Sequence, residues 1–365
     1  MLIKKNVLIL HPADKSACAF YRCHAVAMLL NSTAGGDVEV IVSRAEITDE
    51  YVLKYTAAVV FFRVTTEQQA TMVMHYKRNR RRFGFRIFCD YDDLVFDVGR
   101  FDRLPAWNPN PDEDLRKNAE VMKGALSDID GITVTTEWLK GCMETRFGWP
   151  HVRILPNAVP RYCFGRNPRK RVDGDLVRPR VLYAGSTCHF SEGNPGDFAG
   201  PWIGWLRSAV ERDEMELHLF QMPDFLAGLE DRVTVHGQTS AVEFPSVVAS
   251  IEPHFYLAPL ADNFFNRAKS NLKLLEATAV GAVLIASSFM WSPYEEAFPV
   301  AKVAKGDSET MLSSRFSSLC DARCYNYALG WQRSVMDRGG LWMDSKSYLE
   351  RWLRSWFGET LVVNG

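Results

Sequence analysis

The stretch "PLADNFFNRAKSNLKLLEATAVGAVLIASS" (residues 259–288) runs from the end of a strand through a polar loop into a helix and a second strand. The helix is predicted to begin near Lys269 or Ser270, where backbone N–H groups and the positive end of the dipole form an anion site. Lys269, Lys273 and Glu276 are spaced i, i+4 and i+7 and share one face. Two cations suit a diphosphate, and a carboxylate suits ribose hydroxyls. Spacing alone equally fits a surface helix with a solvated Glu–Lys pair.

The rest of the chain alternates short apolar runs with predicted helices. Runs rich in Val and Ile and separated by helices are typical of a parallel sheet that is covered on both faces. We therefore predict an α/β protein with strands at 7–10, 38–42, 57–62, 85–89, 131–136, 152–157, 180–186, 215–220, 232–237, 254–260 and 282–287.

The domain organisation follows from length and from one shift in composition. A chain of 365 residues exceeds one ordinary core. Residues 161–179 are basic, contain proline and lack apolar periodicity, which indicates a linker. We predict one unit at 1–160 and a second at 180–340. The C-terminal segment 341–365 is predicted to be helical and to pack back on the first unit.

The amino-acid composition limits the classes of protein to which this chain can belong. The chain is 47% hydrophobic and 24% charged with a net charge of -1, which is typical of a soluble globular protein. No apolar run reaches the ~18 residues of a membrane span. The eight cysteines include no C-x-x-C pair, so reduced thiols in a cytoplasmic protein are expected. Positive charge nevertheless collects at 77–82 and 166–171.

The quoted stretch resembles the donor-binding segment of GT-B glycosyltransferases of the retaining family 4 type. Their pattern of a helix carrying Glu, followed by A-x-G-x-P-V-I-A-S, is matched by Glu276, Ala279, Gly281 and residues 284–287. The resemblance implies a GT-B fold, in which two Rossmann-like domains face each other across a cleft. It also implies that Glu276 binds the ribose and that Ser270 and the helix start bind the diphosphate. Ala268 occupies the position of an earlier family glutamate.

In a divergent branch that this chain resembles, an N-x-x-K-S-x-x-K-x-x-E run takes the place of that glutamate. The run corresponds here to Asn266, Lys269, Ser270, Lys273 and Glu276. All five are therefore candidate donor-binding residues.

Three further segments extend the resemblance. "VLYAGSTCHF" (181–190) resembles the opening of the donor domain, which implies a diphosphate loop and a histidine in the cleft as a candidate catalytic group. "VTVHGQTS" (233–240) resembles the base-binding segment. The first helix contains an arginine that look-alike sequences share, and we expect it to contact donor phosphates or acceptor. The residues concerned are Gly185, Ser186, Thr187, His189, His236, Gly237 and Arg22.

The segment "FCDYDD" (88–93) allows two interpretations. In GT-A enzymes an Asp-x-Asp at a strand end holds a divalent metal through oxygen ligands. A metal would be redundant beside the phosphate site predicted at 259–288, and the divergent GT-B branch has a similar D-x-D-D-L. We therefore interpret Asp92 and Asp93 as acid/base or acceptor-positioning groups, with no metal site. The alternative is that they cap the next segment or pair with nearby arginines.

The resulting hypothesis is a metal-independent, retaining glycosyltransferase that uses a nucleotide-diphosphate sugar, with UDP-sugar favoured over GDP-sugar and no permanently bound cofactor. A hydroxymethylated base in DNA is the first acceptor candidate, because runs 77–82 and 166–171 could follow a phosphate backbone. That choice implies a bacteriophage DNA-modifying enzyme in the host cytoplasm. The alternatives are a glycan, lipid or protein acceptor, a non-catalytic nucleotide-sugar binding protein, and a sugar epimerase.

Overall fold

The computed structural model shows two α/β units, each built on one six-stranded sheet. All the strand pairings between its named strands are parallel, as the Val- and Ile-rich runs predicted. The structure describes residues 6–33, 38–96, 112–149, 152–164, 168, 171–185 and 196–357.

The first sheet has the strand order β2-β1-β3-β4-β5-β6. Its strands are β1 Val7–His11, β2 Glu39–Val42, β3 Thr56–Phe62, β4 Arg86–Tyr91, β5 Gly131–Val134 and β6 Val152–Ile154. Because the strands are parallel, their carboxyl ends lie at one edge. Asp92 and Asp93 follow β4 directly and therefore lie at that edge.

The second sheet has the order β12-β11-β10-β7-β8-β9. Its strands are β7 Arg180–Tyr183, β8 Glu216–Leu219, β9 Val233–Val235, β10 Phe255–Ala258, β11 Val283–Ser288 and β12 Lys302–Ala304. Strand β10 is buried at every position, as expected for a central strand that is covered on both faces.

Local sequence explains where the helices begin and end. Thr66 and Gln69 form a capping box at the start of α4, and Gly84 ends it with a left-handed φ of 70°. A π-helical turn, Phe20–His24, lies between α1 and α2. The described helices are α1 Ala17–Ala19, α2 Ala25–Thr33, α3 Glu50–Tyr55, α4 Glu67–Phe83, α5 Asp112–Ala125, α6 Glu137–Phe147, α7 Trp202–Glu211, α8 Phe244–Ile251, α9 Phe264–Arg267, α10 Leu272–Val280, α11 Glu309–Cys320, α12 Ala322–Gly339 and α13 Lys346–Phe357.

The C-terminal helix α13 lies against the first sheet rather than the second. The Trp356 ring packs edge-on to Phe88, with centroids 5.5 Å apart, and Arg86 donates a hydrogen bond to the Trp356 carbonyl at 2.7 Å. Tyr348 and Trp352 are buried in the same core. The aromatic face of α13 therefore extends the core of the first unit.

The predicted α/β class and the eleven predicted strands are confirmed apart from their ends. Strand β12 and helix α3 were not predicted. The helix expected from Lys269 or Ser270 begins at Leu272, because Asn263 caps the separate short helix α9 and the chain turns before α10. Lys269 and Ser270 therefore lie in that turn.

Candidate functional site

A cavity of about 380 Å³ lies between the two units, and both contribute to its walls. Ala17, Cys18 and Asn157 line it from the first unit, and Ala184 and Phe220 from the second. The cavity contains eight of the predicted site residues: Asp92, Asp93, Gly185, Gly237, Lys269, Ser270, Lys273 and Glu276.

Glu276 is the buried carboxylate of this cavity. It is 5% exposed, and its two oxygens accept hydrogen bonds from the hydroxyls of Tyr21 and Tyr256, each at 2.9 Å. Burial raises the pKa of Glu276 above its ordinary value, although Lys273 and the two hydroxyls act in the opposite direction. A buried carboxylate with these donors is a fixed acceptor for ligand hydroxyl groups.

Lys273 supplies a positive charge one turn before Glu276. Its Nζ donates to the Ala184 carbonyl at 2.7 Å and lies 5.7 Å from the centroid of the Tyr183 ring. Gly185 follows on the same segment, and a Cβ placed on it would lie 2.0 Å from the Tyr183 hydroxyl oxygen, so any larger residue would collide with that tyrosine. The wall of the cavity beside this cation is therefore formed by backbone, with no side chain at position 185.

The turn before α10 contacts the first unit. Asn157 Nδ2 donates to Ser270 Oγ at 2.7 Å, and Lys269 Nζ lies 3.5 Å from Asp93 Oδ2. The first N–H groups of a helix have no intrahelical partner, and an anion placed there also meets the positive end of the dipole. The turn therefore brings a cation, a hydroxyl and a helix start to one wall of the cavity.

The two adjacent aspartates differ in their surroundings. Asp92 Oδ1 accepts from Arg63 Nε at 2.6 Å, and the side chain is almost fully buried. Burial alone would raise the pKa of Asp92, but Arg63 and the Cys18 thiol lower it below its ordinary value. Asp93 is 23% exposed and faces Lys269 across the cavity. Asp93 is therefore the more accessible carboxylate.

Three predicted donor-binding residues do not line the cavity. Arg22 is buried in the first unit, where it forms a bidentate ion pair with Asp90 at 2.5 and 2.8 Å. Asn266 Nδ2 donates to Asp197 at 2.6 Å. His236 stacks on His218, and their ring nitrogens are 3.0 Å apart. These side chains already have protein partners, although Gly237, next to His236, does reach the cavity.

Other predicted residues lie outside the part of the chain that the structure describes. Ser186, Thr187 and His189 belong to this group, as does most of the basic segment 166–171. Their assignment stays a prediction from the sequence.

The basic run 77–82 lies away from the cavity. It occupies the last turns of α4, which joins the amino end of β4 through Gly84, whereas the aspartates follow the carboxyl end of β4. Three of its five cations also have protein partners: Lys77 donates to the Ala125 carbonyl at 2.7 Å, Arg80 pairs with Asp128 and Arg82 pairs with Glu50.

Further residues that line the cavity or contact its side chains were not predicted from the sequence. Tyr21 and Tyr256 hold Glu276, and Asn157 contacts Ser270. Gln221 lines the cavity, and its buried Oε1 has no hydrogen-bond partner among the described residues. Asn157 closely follows β6, so its place near the carboxyl ends of the strands was a usable signal. Tyr21 and Gln221 carry no motif of their own.

Within the described ranges, no group of three or more His, Cys, Asp or Glu side chains is arranged to hold a metal ion. Nor does the described part of the chain include a helix that is both long and apolar enough to cross a bilayer.

Solved structures share this architecture. A glycosyltransferase from Rickettsia africae aligns over 97% of this chain and 98% of its own, with 11% identity and a TM-score of 0.60. HepE of Anabaena, solved in complex with UDP and glucose, aligns over 96% of this chain and 99% of its own, with 10% identity and a TM-score of 0.58.

TarM of S. aureus, solved with UDP, α-GlcNAc-glycerol and fondaparinux, aligns over 82% of this chain with 13% identity and a TM-score of 0.54. The chain spans 55% of the length of TarM. No protein-family model and no curated protein matches the sequence. At these identities the similarity shows the fold, and the predicted GT-B architecture of two facing α/β units is confirmed.

Proposed function

We propose that the chain is a glycosyltransferase that moves a sugar from a nucleotide-diphosphate sugar to a hydroxyl acceptor. The observation that carries this proposal is the convergence of Lys273, the start of α10 and the buried carboxylate of Glu276 on one interdomain cavity. Ligands of open α/β sheets bind at the carboxyl ends of the strands, where this cavity lies. The solved complexes of HepE and TarM with UDP support the same class of donor.

The diphosphate would lie at the start of α10. Lys269, Ser270 and Lys273 offer two cations and a hydroxyl there, and Gly185 lines the same cavity with backbone alone. One turn further on, Glu276 would accept hydrogen bonds from the ribose hydroxyls.

The nucleobase would lie toward β8 and the segment after β9. Gly237, Phe220 and Gln221 line this part of the cavity. The buried Gln221 Oε1 suits an N–H donor of the base, because a buried acceptor without a partner is costly. Uracil and guanine both have such a donor, so the preference for UDP over GDP rests on the sequence resemblance.

Sugar transfer breaks the bond between the anomeric carbon and the diphosphate oxygen and forms one to the acceptor oxygen. Lys273 and the α10 start would stabilise the negative charge that develops on the departing diphosphate. In a retaining reaction the acceptor proton passes to that diphosphate, while Asp93 orients the acceptor hydroxyl from the opposite wall. Charge stabilisation by lysines and a helix start requires no metal.

The finer parts of the proposal come from the sequence: the family 4 relationship, retention, the cytoplasmic location, and the domain division at residues 161–179. The DNA acceptor rests on the basic segments. Because run 77–82 lies at the sheet edge opposite the cavity, a DNA substrate in the cleft would need other contacts, such as segment 166–171. Glycosylation assays with hydroxymethylated and unmodified duplexes test this acceptor directly.

A thermal-shift panel with UDP, GDP, ADP and TDP, each with magnesium or with EDTA, tests the donor site. A nucleotide at 100 times its Kd stabilises the protein by about 2.7 kcal/mol, which is readily measured. We expect UDP to give the largest shift and EDTA to leave it unchanged. A shift that requires magnesium would contradict metal independence, and no shift with any nucleotide would contradict the proposed function.

Asp93→Asn is expected to lower turnover roughly tenfold while UDP affinity stays equal or rises. The substitution removes a charge-assisted hydrogen bond to the acceptor, and it also removes a carboxylate that pairs with Lys269 in place of the diphosphate. Steady-state kinetics and calorimetry with UDP measure the two effects. Weaker UDP binding with unchanged turnover would instead place Asp93 on the donor side.

A further inference from the structure

The Glu276 carboxylate is held from both sides of the cleft. Tyr256, on β10 of the second unit, donates to Oε2 at 2.9 Å, and Tyr21 of the first unit donates to Oε1 at the same distance. Both tyrosines are almost completely buried. Lys273 on the same helix and Tyr294 after β11 are the other ionisable groups beside it.

A local departure from α-helical geometry accompanies the position of Tyr21. It belongs to the π-helical turn Phe20–His24. Such turns are rare in proteins as a whole, but those that occur are often found at functional sites. The next residue, Arg22, is anchored in the first unit by Asp90 and by the Leu155 carbonyl at 2.7 Å. The turn is therefore fixed to the core on one side while it presents the Tyr21 hydroxyl to the facing unit on the other.

We propose that Tyr21 is a positioning residue for nucleotide recognition, supplied by the facing unit to the carboxylate that binds the ribose. This inference rests on the proposed function. A carboxylate oxygen has two lone pairs, so each oxygen of Glu276 can accept from one tyrosine and from one ribose hydroxyl at the same time. Tyr21 therefore orients Glu276 without competing for the ligand.

The position of Tyr21 links ribose recognition to the arrangement of the two units. The hydrogen bond joins residues 255 positions apart in the chain and bridges the two units, so it depends on how the units are placed relative to each other. With both hydroxyls in place the carboxylate plane is fixed, and the remaining lone pairs point to defined positions. Without Tyr21, one oxygen is released and the selectivity for ribose over deoxyribose falls.

The test compares UDP with 2′-deoxy-UDP, by calorimetry on the full chain. We expect wild type to prefer UDP. Tyr21→Phe should lower the affinity for UDP roughly tenfold, the effect of losing one hydrogen bond to a charged group, and should reduce the preference for UDP over 2′-deoxy-UDP. Tyr256→Phe removes the matching hydroxyl within the second unit and should have a similar effect. Tyr51→Phe, at an exposed site, should have none.

The decisive comparison repeats Tyr21→Phe in a protein that already carries Glu276→Gln. If Tyr21 acts through Glu276, Tyr21→Phe should change the UDP preference in wild type and leave it unchanged in Glu276→Gln. An equal loss of both nucleotides, or an effect of the same size in both backgrounds, would overturn the proposal and leave Tyr21 a purely structural role.

Two outcomes separate this inference from the proposed function. If wild type binds no nucleotide, the function fails; if wild type prefers UDP and Tyr21→Phe retains the full preference, only the inference fails. Should Tyr21→Phe not fold, Tyr21→Met gives the same comparison, because the flexible methionine side chain adapts to the space without a hydroxyl.

Discussion

Lys273→Ala is expected to weaken UDP binding about a hundredfold. The Lys273 ammonium lies in the cavity at the start of α10, fixed by the Ala184 carbonyl at 2.7 Å, so it is already placed for a diphosphate. A hydrogen bond to a charged group contributes about 1.5–3 kcal/mol, and each 1.4 kcal/mol is tenfold in affinity. Calorimetry with UDP at fixed salt measures the change.

Lys140→Ala is the matched control, because Lys140 lies on α6 and forms only a partly exposed i,i+4 pair with Glu144. It should bind UDP like wild type. Raising the salt concentration should reduce the difference between Lys273→Ala and wild type, since part of the effect is charge attraction. If Lys273→Ala bound UDP as wild type does, the diphosphate would not lie at α10, and the orientation of the donor would have to be reversed.

Contacts within one helix could be predicted from the sequence. Lys273 and Glu276 are three positions apart, and helical geometry alone puts their side chains on one face. The parallel sheets could be predicted equally well, because apolar runs between helices are recognised from local periodicity in the sequence. The alternation predicted the α/β class, whereas the GT-B arrangement and the middle of the site came from the resemblance of residues 259–288 to a donor-binding segment.

Contacts across the cleft could not be predicted in this way. Tyr21 and Asn157 meet α10 and its preceding turn only after both units have folded and packed together. Asp92 and Asp93 look equivalent in "FCDYDD", and only the position of Arg63, 29 residues away, makes Asp92 a buried ion-pair partner. Sequence spacing holds no information about such long-range partners.

Arg22 shows the same limit for a charged residue. Its presence in look-alike sequences suggested a contact with donor phosphates or acceptor, whereas its guanidinium lies with Asp90, the Leu155 carbonyl and Asn157. Asp90 also accepts from the Thr133 hydroxyl. An arginine that is surrounded by acceptors of its own unit can be explained by a role in stability. A role in stability and a role in ligand binding predict different effects of substitution on the free energy of unfolding and on UDP affinity.

Arg22→Gln is therefore expected to destabilise the protein by about 3–5 kcal/mol, while the affinity for UDP falls no further than in Tyr21→Phe, because Arg22 acts on the site through the turn that holds Tyr21. The Arg22 and Asp90 side chains are 2% and 4% exposed, and removal of one partner from a buried ion pair leaves an uncompensated charge. Urea unfolding measures the free energy, and calorimetry measures the affinity.

Arg82→Gln provides the comparison with an exposed pair. Arg82 meets Glu50 at 2.6 Å with both side chains more than 60% exposed, so the same substitution should cost at most about 1 kcal/mol. The ratio between the two losses therefore isolates the effect of burial on an arginine–carboxylate pair. If Arg22→Gln kept full stability and lost UDP binding, Arg22 would be a donor contact, and the Asp90 pair would have to open when the nucleotide binds.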